Sequence, residues 1–212
     1  MNLADLRREY TKGGLRRADL DPSPLVQFQK WFEQALTAQL LEPSAMTLAT
    51  ADKAGRPSSR IVLLKGIDER GFTFFTNYES RKGRELAENP HAALTLYWAE
   101  LERQVCIVGE VGKTSRAESE KYFAMRPRGS QLGACVSHQS VVVTDRAFLE
   151  KRLAEVEREV EGRDVPTPVY WGGYSLAPAR IEFWQGRPNR LHDRFQYSKQ
   201  ADGSWRIDRL SP

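Results

Sequence analysis

Short runs of alternating apolar and polar residues, divided by turn residues, set the tightest limit on how this chain can fold. They read AMTLAT (45–50), SSRIVLLKGI (58–67), GFTFFT (71–76), ALTLYWA (93–99) and RQVCIVGEV (103–111), and resume late as ARIEFWQ, NRLHDRFQYS and SWRIDRL. Alternation of period two marks strands with one face buried. A parallel sheet would need a crossover helix after each strand. Helical patterns occur only near 80–88, 115–126 and 145–161, with one earlier helix from Ser23-Pro24 to about Leu41. That first helix starts on proline, as helix N-termini permit, and carries Leu25, Phe28, Trp31, Phe32 and Leu36 along one side. The pattern therefore predicts a mainly β protein, an antiparallel barrel with flanking helices.

The chain has 212 residues, enough for one domain with a sizeable core, and no repeat or long linker divides it. Residues 1–22 are polar and are expected to form a mobile N-terminal segment, with 23–212 as the single domain. No apolar run approaches the ~18–20 residues of a membrane span. MNLADLRREY lacks the apolar core of a signal peptide, so the expectation is a cytoplasmic protein without a membrane partner. Cys106 and Cys135 are too few for a disulfide framework, and His91, His138 and His192 lack metal-site spacing, so no metal is expected. The net charge of +4 and pI near 9.1 favour anionic partners. Nucleic acid would favour a contiguous basic run with interleaved aromatics. Here the basic residues are scattered, which points to small anions and away from nucleic acid.

Three constellations could hold such anions. Ser80 reads as a helix N-cap followed by Arg81-Lys82, cations at the wrong end of the helix dipole. Either the turn is solvated, or an anion docks there and reverses the conflict. Arg60 and Lys65 flank an apolar strand, at a separation that puts them on opposite faces if the strand is regular. They reach water or a ligand. Ser115 and Glu118 read as a capping box, and Tyr122 and Arg126 share a face of that helix, with Pro127 stopping it and Ser130 just beyond. That set is either a phosphate cradle or a tyrosine packed on an arginine stem. Near the C-terminus, IEFWQGRPNRLHDR (181–194) is expected to turn at GRPN and to place Arg190, His192 and Arg194 on one strand face. Other motifs fail. GEVGKTS has Ile107 where a nucleotide P-loop needs glycine. Leu149, Leu153, Val156 and Val160 form a stripe for core or partner packing, and GGLRR (13–17) reads as a solvated basic segment.

Taken in order, LRREYTKGGLRR, RIVLLK, FFTNYESRKG, LERQV, KYFAMRPRGSQLGA, SHQS and IEFWQGRPNRLHDR resemble the pyridoxamine 5′-phosphate oxidases. These are FMN enzymes that make pyridoxal 5′-phosphate. The resemblance implies an FMN-binding split β-barrel, an antiparallel Greek-key barrel, that forms a homodimer with FMN at the interface. It implies oxidation of pyridoxamine or pyridoxine 5′-phosphate by hydride transfer to FMN, with O2 as final acceptor giving H2O2. It assigns Arg60, Ile61, Val62, Leu63, Leu64, Lys65, Phe75, Thr76, Arg81 and Lys82 to FMN. Gln104, Gln139, Ser140, Trp184 and Arg194 join them. Lys65, Tyr122, Arg126 and Ser130 match the substrate-phosphate cradle, Arg190 and His192 the catalytic groups beside the pyridine ring, and Arg7 and Tyr10 an N-terminal lid over the substrate. Phe75 stands where tyrosine is frequent, and Cys135 where tryptophan is expected. The alternatives are another split-barrel flavin reductase or a non-enzymatic carrier of flavin or pyridoxal phosphate.

Overall fold

A computed structural model describes residue 2 and residues 9–212. Arg7 lies outside the described residues. Strands β1 (Ala45–Ala51), β2 (Pro57–Leu63), β3 (Gly66–Asp68) and β4 (Gly71–Asn77) come first. Strands β5 (His91–Trp98), β6 (Arg103–Lys113), β7 (Trp171–Gln185), β8 (Asp193–Lys199) and β9 (Trp205–Leu210) follow. All pairings are antiparallel, in the order β2-β1-β5-β6-β7-β4-β3, with β8 on β7 and β9 on β8. The antiparallel barrel expected from the alternation is present.

Closure comes from one change of partner. The run expected as a single strand over 58–67 divides between β2 and β3. Leu64 N–H donates to Ser44 O, toward β1, and Lys65 N–H donates to Thr73 O, toward β4. Strand β7 is longer than expected, because WGGYSLAP (171–178) continues it upstream of ARIEFWQ. Its first half pairs with β4 and its second with β8. The glycines and Pro178 hide this strand from a propensity reading. Pro178 has no N–H for the ladder, and β6 slips register opposite it, between Val108 and Gly109.

Helix α1 (Pro24–Thr37) lays its apolar stripe over the barrel, with Trp31 edge-on to Phe183 at 5.2 Å and Phe28 edge-on to Phe72 at 4.9 Å. It ends four residues before Leu41, and Leu36 points outward. Helix α2 (Arg81–Glu88) follows β4. Helices α3 (Arg116–Met125), α4 (Arg128–Val136) and α5 (Arg146–Glu159) form a second apolar cluster around Phe123, Leu132, Val156 and Trp171. Helix α4 is an element that the sequence pattern did not announce. In the α5 stripe only Val156 is buried, while Leu149 is exposed.

The GGLRR segment is not wholly solvated. Leu15 belongs to the barrel core, its N–H donates to Asp193 at 3.0 Å, and Gly13 O accepts from Arg187 at 2.8 Å. Lys12 N–H donates to Glu102 at 2.9 Å. These bonds hold the chain from Lys12 onward against β8 and the turn before β6.

Candidate functional site

A cavity of about 1030 Å3, at the upper end of the ~300–1,000 Å3 usual for small-molecule sites, lies beside the partner change between β2 and β3. Arg60, Ile61, Val62, Leu63 and Lys65 line one wall. The regular pleat breaks after Leu63, which turns Leu64 into the core and brings Arg60 and Lys65 to the same cavity. The opposite-face expectation held only for an unbroken strand.

Phe75 and Thr76 of β4 and Arg81 and Lys82 of α2 continue the lining. The start of α2 is built to turn these two cations toward the cavity. Ser80 Oγ accepts the Gly83 N–H at 3.2 Å and donates to Asn77 O at 2.7 Å. A Cβ on Gly83 would lie 2.0 Å from Tyr78 O, so only glycine lets this helical turn sit so close to the preceding chain. Lys82 is buried, and its Nζ donates to Gln139 at 2.7 Å, Thr76 at 3.2 Å and Ser80 at 3.3 Å. Among the described residues it has no carboxylate partner within salt-bridge distance. Burial, helped by the charge of Arg60 and opposed by Glu85, pushes its pKa down to about 8. Arg81 N–H donates to Ser140 Oγ at 3.2 Å, so the Gln139–Ser140 loop packs on this helix start.

Glu85, one turn into α2, joins the cations. It accepts from Arg81 Nε at 2.8 Å, Arg60 Nη2 at 3.4 Å, Ser58 Oγ at 2.6 Å, and Thr50 Oγ1. Burial opposes its ionisation, but the hydroxyls of Ser58 and Thr50, Arg81 and the charge of Arg60 outweigh burial and hold it down to about 2.

The second cluster of helices supplies the other wall. Tyr122 stacks on Phe75 with centroids 4.0 Å apart and lies parallel to Trp171 at 6.2 Å. Arg126 ends α3 just before Pro127 and rests its guanidinium on the Trp171 ring at 4.8 Å. Its Nη1 is buried without a hydrogen-bond partner, and burial lowers its pKa. Ser130, in the first turn of α4, completes this group. A buried cation without an anion is costly. Both cation groups of the cavity therefore fit anionic ligands, which would satisfy Lys82 and Arg126 together.

The remaining residues lie elsewhere. Gln104, Trp184 and Arg194 form one cross-strand row over β6, β7 and β8. Arg194 meets Glu182 through two bonds of 2.8 and 3.0 Å and donates to Ser211 O at 2.8 Å. The expected strand face of Arg190, His192 and Arg194 does not form, because β8 begins only at Asp193. Arg190 ends a short 3-10 turn, Pro188–Arg190, in which Asn189 and Arg190 take φ of 56° and 62°. This left-handed pair leaves Arg190 exposed. His192 Nδ1 accepts the Arg187 N–H at 3.1 Å, which puts the proton of the neutral ring on Nε2. Burial and the charges of Arg190 and Arg194 lower its pKa. Tyr10 packs edge-on to Trp184 and His192, both at 5.5 Å. A Cβ on Gly186 would lie 2.7 Å from Tyr10 Cγ, so glycine there gives the ring its seat. None of these residues lines the cavity.

Ser58 and Trp171 line the cavity and Glu85 backs its cations, but none of the three was singled out from sequence. Two of them had signals. Ser58 shares a face with Arg60 by alternation, and Glu85 is four residues after Arg81. Trp171 had none beyond its place in a glycine-rich run.

A family model described as pyridoxamine 5′-phosphate oxidase matches residues 32–158. A second, described as the pyridoxine 5′-phosphate oxidase C-terminal dimerisation region, matches residues 171–212. A Burkholderia thailandensis relative named pyridoxine/pyridoxamine 5′-phosphate oxidase is 60% identical over 212 residues, covering 99% of both chains. A Cyanothece relative of the same name is 57% identical, covering 100% of this chain and 99% of its own. The crystal structure of PhzG from Burkholderia lata in complex with tetrahydrophenazine-1-carboxylic acid has a TM-score of 0.87 at 35% identity, covering 92% of this chain and 95% of that one. A pyridoxamine 5′-phosphate oxidase-related, FMN-binding protein from Nostoc punctiforme shares the fold, with a TM-score of 0.71 at 16% identity, covering 91% and 100%.

Proposed function

Because this chain belongs to the pyridoxamine 5′-phosphate oxidase family, we propose that it oxidises pyridoxamine and pyridoxine 5′-phosphates to pyridoxal 5′-phosphate in the cytoplasm, with FMN as cofactor and O2 as final acceptor. The observation that carries this reading is the pair of cation groups in one cavity, with Lys82 buried, Arg126 half-buried with its Nη1 enclosed, and neither meeting a carboxylate among the described residues. The reaction brings two phosphorylated molecules side by side, and each would satisfy one group.

In this reading Arg60, Arg81 and Lys82, with Thr76, Gln139 and Ser140, hold the FMN phosphate. The wall from Ile61 to Lys65, faced by Phe75, borders the flavin. Lys65, Tyr122, Arg126 and Ser130 hold the substrate phosphate. A bound FMN would supply the redox chemistry, as acceptor of the hydride from C4′ of the substrate with O2 as final acceptor giving H2O2. The protein fixes the substrate by its phosphate, which makes the encounter effectively unimolecular. Phe75 contributes a ring stacked on Tyr122 and no hydroxyl, so any polar contact there falls to the backbone. The half-buried Cys135 adds no cation or hydrogen bond to either group.

Gln104, Trp184, Arg190, His192 and Arg194 lie off the cavity of their own chain. We assign them to the cavity of a second copy in a homodimer, consistent with the dimerisation region matched over 171–212. There His192 presents a neutral Nε2–H as a hydrogen-bond donor, and Tyr10, seated on it, is assigned to a lid over the substrate. Dissociated monomers should therefore lose flavin. Dilution followed by sedimentation and flavin fluorescence checks this, and monomers that keep full FMN affinity contradict it.

Lys82 gives a second expectation, with a definite sign. A bound phosphate favours charged Lys82, and its depressed pKa of about 8 leaves it increasingly neutral above that pH. The second phosphate pKa, about 6, lies below this window. FMN affinity should therefore fall between pH 7 and 9.5, toward the ~10–150-fold limit for losing a charge-assisted contact. The contribution of Lys82 to apo stability runs the other way. Its folded pKa lies below the unfolded value of 10.5, so unfolded chains bind more protons between about 8 and 10.5 and stability from this group rises there. Flavin titrations of wild type and Lys82→Met check this. The variant should bind weakly and lack the slope, and a flat wild-type profile contradicts the assignment.

A further inference from the structure

We propose that Glu85 is a positioning residue for the phosphate end of the cofactor site, fixing the directions of Arg60 and Arg81 rather than merely trimming the charge. The inference rests on the FMN reading above. An acidic residue directly behind an anion site is at first sight misplaced, since its charge repels phosphate. Its contacts resolve the conflict. One carboxylate oxygen accepts from Ser58, Thr50 and Arg60, and the other accepts from Arg81 at 2.8 Å. Arg60 is tied to the same groups, with its guanidinium also donating to Thr50, Ser58 and Leu48 O. Only 6% of the Glu85 side chain is exposed, against 60% for Arg81 and 20% for Arg60. A buried anchor thus restrains two cations that would otherwise spread toward solvent, away from each other and from Lys82.

The charge count agrees. Three cations, Arg60, Arg81 and Lys82, less one carboxylate, Glu85, leave a surplus of two. A phosphate monoester carries about −1.5 to −2. Without Glu85 the group holds one uncompensated charge more than the ligand supplies. With it, the site is neutral when filled and its long side chains are already placed when the ligand arrives, so less ordering remains to be done on binding.

Two conservative variants separate reach from charge. Glu85→Asp keeps the charge and withdraws the carboxylate by one methylene. Glu85→Gln keeps the reach, and its amide oxygen retains the Ser58–Thr50–Arg60 set while giving up the solvent-facing Arg81 pair. The measurement is the affinity of each apoprotein for FMN and for riboflavin, which lacks the phosphate, with apo melting temperature followed alongside. Positioning predicts that Glu85→Asp weakens FMN at least fivefold and leaves riboflavin within about twofold. It predicts that Glu85→Gln, which keeps Arg60 in place and frees only Arg81, loses less FMN affinity than Glu85→Asp. An unchanged Glu85→Asp overturns the inference, as does a Glu85→Gln that loses as much as Glu85→Asp. Equal losses of FMN and riboflavin also overturn it, because they report damage to the fold. A wild type that does not prefer FMN to riboflavin overturns the reading beneath it as well, an outcome recognised before either variant is measured.

Discussion

Arg126→Ala is expected to raise the KM for pyridoxamine 5′-phosphate by roughly 10–150-fold, with kcat near the wild-type value. Arg126 faces the cavity with Nη1 buried and without a partner, and its guanidinium is held flat on Trp171. A hydrogen bond to a charged group contributes about 1.5–3 kcal/mol, which sets the range. The loss should fall on binding, because the substrate phosphate is remote from the reacting C4′. Apo stability gives a second, independent sign. The substitution removes a half-buried charge that no carboxylate among the described residues compensates, so its partial desolvation cost disappears, offset by the lost contacts with Trp171 and Phe123. The apoprotein should melt within a few degrees of wild type. An Arg126 that serves only as packing would show the reverse, a large fall in melting temperature and an unchanged KM.

Arg190→Ala should behave differently, with kcat/KM down about 100-fold, kcat falling too, and FMN retained. Arg190 is assigned beside the pyridine ring, where a misplacement of about 1 Å can cost ~100-fold in rate. The structure makes this a clean variant. Arg190 is exposed and its side chain forms no hydrogen bond or ion pair among the described residues, so its removal breaks none there and takes away only a charge that helps hold the His192 pKa down. Its φ of 62° is equally awkward for arginine and alanine, so backbone strain is unchanged. Arg190→Lys should not rescue, because a point charge does not replace a planar guanidinium. Single-turnover flavin reduction under anaerobic conditions is the deciding measurement. Reduction at the wild-type rate would remove Arg190 from the site.

These two arginines also mark what the sequence could disclose. Arg126 was legible because a helix face, a proline stop and the i,i+4 tyrosine are local signals, and the structure keeps all three. The helix start at Ser80 was legible for the same reason. Arg190 was misplaced because alternation was carried through Asn189-Arg190, where two left-handed residues interrupt the strand. Arg60 and Lys65 were put on opposite faces for a related reason, since strand parity fails where the chain changes partner. The first half of β7 went unseen because Gly172, Gly173 and Pro178 carry no strand propensity, and ladder pairing with β4 and β6 overrides them. Glu182 as the partner of Arg194 is a cross-strand pair, visible only once β7 and β8 are in register. Sequence thus exposes sites built on one helix or turn and conceals those that depend on register.

The most direct test of the proposed function is the absorption spectrum of the purified protein before and after anaerobic addition of pyridoxamine 5′-phosphate. Flavin bands should be present, should bleach on addition of the amine, and should return on admission of O2 with formation of H2O2. A protein reconstituted with FMN whose bands stay unbleached by either phosphorylated substrate would contradict the account.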